Sequence, residues 1–344
     1  MEQESVMGSQ GGLWGIVLAG GDGVRLHPLT RRLYGEDRPK QYAAFHGSAS
    51  LLRQTLDRVG LAIPDERTLV VTQQKHAAYV DETLGGTRPR ILSQPEDRDT
   101  AFGVLLPVHW VSRWDPEGIV AVFPADHYVE DERAFMQHVG HVADFVAGNP
   151  EWTVLVGAPP TEPLPDYGWI EAGERLLEWS PIAPIRRVEG FWEKPPAATA
   201  VACFEQGWLW NTSVFVACAS RLLEVAGHVL PDLNETLAHA AAFVDTRLEA
   251  WAIGRASALG RKASFSREFF EPCPGFLAVS CLPPISWCDL GTPEGVIRCL
   301  RTAGLHPAWL DAVAPPAVAG NARGPTNHAT RQREMPHGDR NDLL

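Results

Sequence analysis

The sequence predicts an α/β protein, a Rossmann-like mixed, mostly parallel sheet flanked by helices. Three observations carry this expectation. Short β-rich runs alternate with helical patterns along most of the chain. At 344 residues and 45% apolar content the chain can bury a sizeable core. A glycine-rich loop follows directly on the first strand-like run. Strands alternating with helices imply βαβ units, which lay helices on both faces of a sheet.

In chain order the strand candidates are Leu13–Ala19, Thr68–Thr72, Ile119–Phe123, Thr153–Gly157, Ile185–Trp192, Ser213–Ala217 and Phe276–Cys281. Amphipathic segments at Ser50–Gly60, Lys75–Leu84 and Thr100–Trp114 read as the first connecting helices. From about His306 the composition turns to Ala, Pro, Gly, Asn and Arg, ending "GPTNHATRQREMPHGDRNDLL". The expected organisation is a flexible N-terminus over residues 1–12, one domain over 13–305, and a disordered tail over 306–344.

Composition excludes several classes of function. The formal charge is −12, so no general basic face is offered to nucleic acid or to an anionic membrane. An acidic protein that handles phosphates must gather its few cations locally, together with a metal ion. The six cysteines form no C-x-x-C pair and read as reduced, mostly buried thiols of a cytoplasmic protein. The N-terminal "MEQESVMGSQGG" carries acidic residues and no apolar core of signal-peptide length. No run approaches the ~18–20 apolar residues of a membrane span.

The loop in "VLAGGDGVRLHPLT", residues 17–30, matches neither familiar nucleotide motif. The lysine of a Walker A loop is absent, and Leu26 occupies the third glycine position of a dinucleotide fingerprint. Ala19, Gly20, Gly21 and Gly23 still give a backbone that can approach an anion closely and turn N–H groups toward it. Arg25 adds a fork of fixed charge. Glycines alone would serve equally as a tight turn between strand and helix. Shortly afterwards "RPKQY" places Arg38 and Lys40 around Pro39, whose fixed φ makes an ordered bend of the segment.

Carboxylates close two apolar runs. "GIVAVFPADHYV" ends on Asp126 and His127, and "ISWCDLGTPEGV" carries Asp289 ahead of a Gly-Thr turn. Ligand groups of open parallel sheets sit at the carboxyl ends of strands, although such an aspartate also serves as a cap or turn former. His138 and His141, spaced i and i+3, read as surface-helix residues without a role. Further polar positions interrupt apolar runs. They are Gly168 in a turn of "PDYGWIEAG", Glu193 and Lys194 in "FWEKPP", and Asn211 in "WLWNTSVFV". "SQPEDRDTA" contributes Gln94, Arg98 and Thr100 at a polar helix start, capped by Asp97 or Asp99.

Together these motifs resemble, in order, those of the sugar-1-phosphate nucleotidyltransferases, most closely the mannose-1-phosphate guanylyltransferases. That family typically shows A-G-G-x-G-x-R-L-x-P-L-[ST], P-K-Q-[FY], P-x-x-R-[ND]-T-A, P-A-D-H, Y-G-x-I, E-K-P, W-N-x-x-x-F and W-x-D-x-G. The resemblance spans residues 15 to about 295 and implies transfer of a guanylyl group from GTP to mannose 1-phosphate, with release of pyrophosphate. It implies that Ala19, Gly20, Gly21, Gly23, Arg25 and Lys40 meet the triphosphate, and that Gln94, Arg98 and Thr100 shape the guanine site. Glu193 and Asn211, with Gly168 beside them, would hold sugar hydroxyls, and Lys194 the sugar phosphate, in a sugar-binding part over about 160–295. Asp126 and Asp289 would hold Mg²⁺, with Arg25, Lys40 and Asp126 as the catalytic set and His127 orienting its loop.

This chain departs from the family pattern at four places. His27 stands for a common Trp, Asp99 for Asn, Trp169 for Tyr, and Thr212–Ser213 for Ser-Gly. The implied partners are GTP and mannose 1-phosphate, with no nucleic acid and no membrane; a homodimer is left open. No fused isomerase domain of the kind longer relatives carry is expected. Another sugar 1-phosphate or nucleoside triphosphate, or a non-catalytic nucleotide-sugar-binding subunit of the same fold, remains the alternative reading.

Overall fold

A computed structural model of the chain describes residues 11–86, 89–177 and 184–313. The N-terminal segment expected over 1–12 and the tail expected over 306–344 fall mostly outside these residues. The chain divides into a large unit ending at Pro307 and a short C-terminal unit, whose described part contains one helical turn, Leu310–Val313.

Eleven strands form among the described residues: β1 Leu13–Leu18, β2 Thr68–Gln73, β3 Arg90–Gln94, β4 Ile119–Pro124, β5 His127–Val129, β6 Thr153–Ala158, β7 Gly168–Leu177, β8 Ile185–Glu193, β9 Leu209–Cys218, β10 Leu277–Cys281 and β11 Trp287–Asp289. The helices of the large unit are α1 His27–Tyr34, α2 Leu51–Val59, α3 Ala77–Leu84, α4 Asp99–Trp114, α5 Glu132–Gly148, α6 Ala197–Glu205, α7 Ala219–Val229, α8 Pro231–Ala241, α9 Glu249–Leu259 and α10 Pro293–Thr302. All seven strands expected from the sequence are present. The short β5 and β11, the polar β3 and the bulged β7 lacked a strong apolar pattern and were not.

Nine strands make one sheet in the order β3-β2-β1-β4-β9-β6-β10-β8-β7, and β11 pairs with β5 in a separate ribbon. β3, β2, β1 and β4 run parallel, as βαβ units require. Beyond β4 the sheet is mixed yet still mostly parallel, as expected, with β6 and β10 paired in parallel and only β8 and β9 running against the other strands. β9 lies antiparallel between β4 and β6, and β7 and β8 pair as an antiparallel couple at the far edge.

Alternation along the central strands builds two cores. Ile16, Val71, Val120 and Val122 face the side covered by α4, α7, α8 and α9, while Val17, Val70 and Ala121 face α2 and α5. Residues 101–111 of α4 are buried throughout, so this helix is a central pillar rather than an amphipathic cover. Each fully buried Leu or Phe contributes about 1.5–3 kcal/mol of transfer free energy. His138, expected on a surface, is buried in α5. It shares the apolar stripe of Phe135, Val139 and Val142, and burial pushes its pKa down to about 4.

Candidate functional site

At the carboxyl ends of β1, β3 and β4 the loops enclose a cavity of about 570 Å³, large enough for a nucleotide. Its wall runs from Gln94, Asp97, Asp99 and Thr100 past Gly20, Gly21 and Gly23 to Arg25, Lys40, Asp126 and Asp289. A second cavity of about 60 Å³ opens beside it, lined by Asp166, Tyr167, Gly168, Glu193 and Asn211. Residues as far apart in sequence as Gly20 and Asp289 thus meet at one end of the sheet.

The glycine loop is held from behind. The Gln41 side-chain amide donates to Ala19 O at 2.8 Å and to Gly21 O at 2.7 Å. Gln73 Nε2 donates to Gly20 O, and the Tyr42 hydroxyl to Ala19 O at 3.2 Å. In a trans peptide the carbonyl and the next N–H point in opposite directions. Anchoring the carbonyls of residues 19–21 therefore turns the N–H groups of Gly20, Gly21 and Asp22 toward the cavity. Asp22 locks the far end of the turn, with its carboxylate 2.6 Å from Lys75 Nζ and 3.3 Å from His76 Nε2. His27 braces the same loop by its contact with Asp22 O at 3.1 Å. Gly23 has φ 63°, and a Cβ there would come within 2.9 Å of Lys40 N, so glycine is required on both counts. The sequence motif revealed the glycines. Gln41, Gln73 and Tyr42, which aim them, carry no signal beyond their place in "PKQY" and at the end of β2.

Lys40 reaches both carboxylates. Its ammonium lies 2.8 Å from Asp126 and 3.4 Å from Asp289, and donates to Leu290 O at 3.4 Å. Burial disfavours its charge, but the two carboxylates outweigh this and hold its pKa above the ordinary lysine value. Burial likewise raises that of Asp289, and Lys40, His127 and Arg25 more than offset it, so Asp289 stays below the usual aspartate value. Arg25 is exposed at the cavity lip and makes no hydrogen bond or ion pair with described residues within the ordinary distances. Arg38, by contrast, is bound to Glu36 and Glu82 and lies over Tyr34 and Tyr79, so it braces the outside of the bend.

Donor atoms of Asp126, His127 and Asp289 lie within 4.8 Å of one another. The pairing of β5 with β11, which sets His127 opposite Asp289, brings this about. His127 is buried and its pKa is pushed down by that burial, so it is neutral near pH 7. Its Nδ1 accepts the Trp287 indole N–H at 3.3 Å, which places the ring proton on Nε2. The remaining free donors are the two carboxylates. That oxygen set fits a hard divalent cation such as Mg²⁺.

The small cavity is built by strand register. Gly168 begins β7 rather than lying in a turn, and pairs with Glu193 of β8 on one side and Asn211 of β9 on the other. A Cβ at Gly168 would lie 2.9 Å from Glu193 Oε2 and 3.0 Å from Asn211 Cβ. Tyr167 stacks on Trp210 at 4.6 Å and meets Trp287 edge-on, giving an aromatic wall that sequence reasoning missed. Trp169 points into the core, is fully buried and donates to Leu164 O, so this departure from the family pattern leaves the cavity untouched.

At the other end Gln94, Thr100 and Asp99 line the large cavity, whereas Arg98 turns to Glu96 at 2.9 Å and does not. Asp99 has φ 65°, a left-handed conformation that Asn and Asp tolerate best, and its carboxylate accepts from Thr100 N at 2.6 Å. An Asp can therefore replace Asn there without change of backbone.

Six free cysteines are present, three buried and three half-buried. No helix among the described residues is long and apolar enough to cross a membrane.

Comparison with known proteins agrees with this geometry. The family model for nucleotidyl transferases matches residues 14–303. The mannose-1-phosphate guanylyltransferase of Escherichia coli K12 is 31% identical over 246 residues, covering 70% of this chain and 50% of that protein. The alginate biosynthesis protein AlgA of Pseudomonas aeruginosa is 31% identical over 297 residues, covering 80% of this chain and 56% of its own. The chain thus spans about half the length of these curated relatives. A solved structure from Thermus thermophilus, described as a mannose-1-phosphate geranyltransferase, superposes with a TM-score of 0.71 at 30% identity, over 84% of this chain and 79% of that one. A glycine loop with its carbonyls anchored, a lysine between two carboxylates and a family match over most of the described residues lead to one assignment: this chain belongs to the nucleotidyl transferase family.

Proposed function

We propose that the chain transfers a guanylyl group from GTP to α-D-mannose 1-phosphate, releasing pyrophosphate and forming GDP-mannose. The observation that carries this reading is the junction of the two cavities, where Lys194, His127 and Asp289 line both. A triphosphate along the glycine loop and a sugar phosphate beside Glu193 and Asn211 would meet there. The names of the relatives at about 30% identity support mannose and guanine as the specific groups.

A phosphate oxygen of the sugar phosphate attacks the α-phosphorus as the bond to the departing pyrophosphate breaks, so no protein base is required. The work of the chain is positioning and neutralisation of charge. Loop N–H groups and Arg25 receive the phosphates, Lys40 faces the charge that builds on the leaving group, and Lys194 draws in the sugar phosphate. Asp126 and Asp289 would hold Mg²⁺, which supplies Lewis-acid charge neutralisation to the phosphate oxygens when bound. Lys40 would then give up part of its contact with the two carboxylates. The reduced thiols fit action in the cytoplasm.

Pyrophosphate release measured across a matrix of nucleoside triphosphates and sugar 1-phosphates, with and without Mg²⁺, tests the reading. Release confined to GTP with mannose 1-phosphate and abolished by chelation is expected. Preference for dTTP or UTP, or for another sugar, would reassign the substrates. No release from any pair would favour a binding subunit.

A further inference from the structure

β9 does not run evenly beside β6. Leu155 faces Phe215, yet Gly157 faces Asn211, so β9 spends four residue steps where its partner spends two. Such a bulge lifts residues out of the ladder and re-aims side chains, commonly beside functional sites. Here it is fixed by its own polar groups. Thr212 Oγ1 donates to Val156 O at 2.6 Å and receives Val214 N, while Asn211 Oδ1 accepts from Ser213 N at 2.9 Å. At the crest stands Ser213, exposed and with φ 59°, a left-handed conformation that a serine adopts at a cost glycine avoids.

Ser213 lines both cavities, as do His127, Lys194 and Asp289. Its hydroxyl makes no hydrogen bond to any described residue. Lys194, the cation across the junction, also has a positive φ of 52°, so two strained residues face the same space. A strained serine whose hydroxyl is left uncommitted, at the meeting point of two substrate spaces, is a donor awaiting an acceptor. The groups that must meet at that point are phosphates.

We propose that the Ser213 hydroxyl is a substrate-binding group of this chain, donating to a phosphate oxygen of the sugar 1-phosphate and orienting it, together with Lys194, for attack. The inference rests on the transfer reaction proposed above. It adds a contact that a glycine at this position could not make.

Two variants separate hydroxyl from backbone. Ser213→Ala keeps the left-handed residue and removes the hydroxyl, whereas Ser213→Gly removes both hydroxyl and strain. In steady-state pyrophosphate release, both variants are expected to raise KM for the sugar 1-phosphate roughly tenfold, the scale of one hydrogen bond to a charged group. KM for the triphosphate should stay within about twofold. The glycine variant should melt about 2 °C above the alanine one, as strain is relieved. Wild-type kinetics in both variants would overturn the proposal.

A readout without turnover keeps the two inferences apart. Inorganic phosphate at fixed concentration should raise the melting temperature of the wild type more than that of Ser213→Ala. Equal shifts, or no shift in the wild type, count against the serine even if transfer is observed. A larger wild-type shift with no pyrophosphate release from any substrate pair supports the serine as a phosphate ligand and leaves the transfer reading to fail alone.

Discussion

The two halves of the site are made in opposite ways. At the large cavity a glycine-rich backbone is disciplined by side chains, since Gln41, Gln73 and Tyr42 grip the carbonyls of the loop so that its amides turn toward the cavity. At the small cavity the paired strands themselves present side chains, with Gly168 leaving the gap between Glu193 and Asn211. The first arrangement suits the common features of any nucleoside triphosphate. The second, on the proposed reading, would meet individual hydroxyls, and small changes of register or side chain would retune it. The difference predicts that phosphate handling tolerates less change than sugar preference does.

The largest loss is expected at charges that line the large cavity. Arg25→Ala or Asp126→Asn should lower turnover by roughly 10²-fold or more in a folded protein, the scale of one transition-state contact. Near-normal kcat in either variant would remove that residue from the chemistry.

Next comes Lys40→Met, expected to lower turnover and to shift acid stability as well. Asp289 has a pKa below the ordinary 3.8, so its contribution to stability is present above that value and is lost as pH falls through the depressed one. Removing the ammonium takes away the main cause of the depression, so acid unfolding should begin at higher pH. Lys40 itself is raised, and its contribution is complete below pH 10.5 and lost only as pH climbs through the raised value. Identical acid-unfolding midpoints in variant and wild type would contradict the coupling.

Gly168→Ala probes the sugar half alone. The added Cβ crowds the Glu193 carboxylate and Asn211, and KM for the sugar phosphate should rise about tenfold, since a 1 Å misplacement can cost up to about 10²-fold. An equal rise in the triphosphate KM would show that the halves are not independent. On the other side, Gln41→Met leaves Gly21 O unpaired and Ala19 O held by Tyr42 alone, at about 1–3 kcal/mol in stability, and should raise the triphosphate KM several-fold. Smallest of all, Arg38→Met should cost about 0–1 kcal/mol by chemical denaturation and leave kinetics unchanged, because its ion pairs lie outside the cavity.

The glycine loop, Lys40, Asp126 and Asp289 were legible in the sequence because glycines after a strand and carboxylates at strand ends carry local signals. The parallel half of the sheet was legible for the same reason, its strands being apolar and its helices periodic. What escaped depends on pairing between distant segments. Neither the β5–β11 ribbon that carries Asp289 to Asp126, nor the row of Glu193, Gly168 and Asn211, nor the bulge under Ser213 has a pattern within any one window of residues. Arg98 and Thr100 show the limit from the other direction. Two residues apart in one motif, they are parted by a left-handed turn at Asp99, which leaves Thr100 at the cavity and Arg98 on Glu96.

The ribbon also bears on truncation. Asp289 comes from one of the last elements of the large unit, and only its pairing with β5 completes the charge cluster around Lys40. Without β11 the chain keeps the glycine loop and Asp126 but lacks the second carboxylate beside Lys40. On the proposed reading, a chain that keeps β10 but stops just before residue 287 lacks Asp289 and should lose transfer activity.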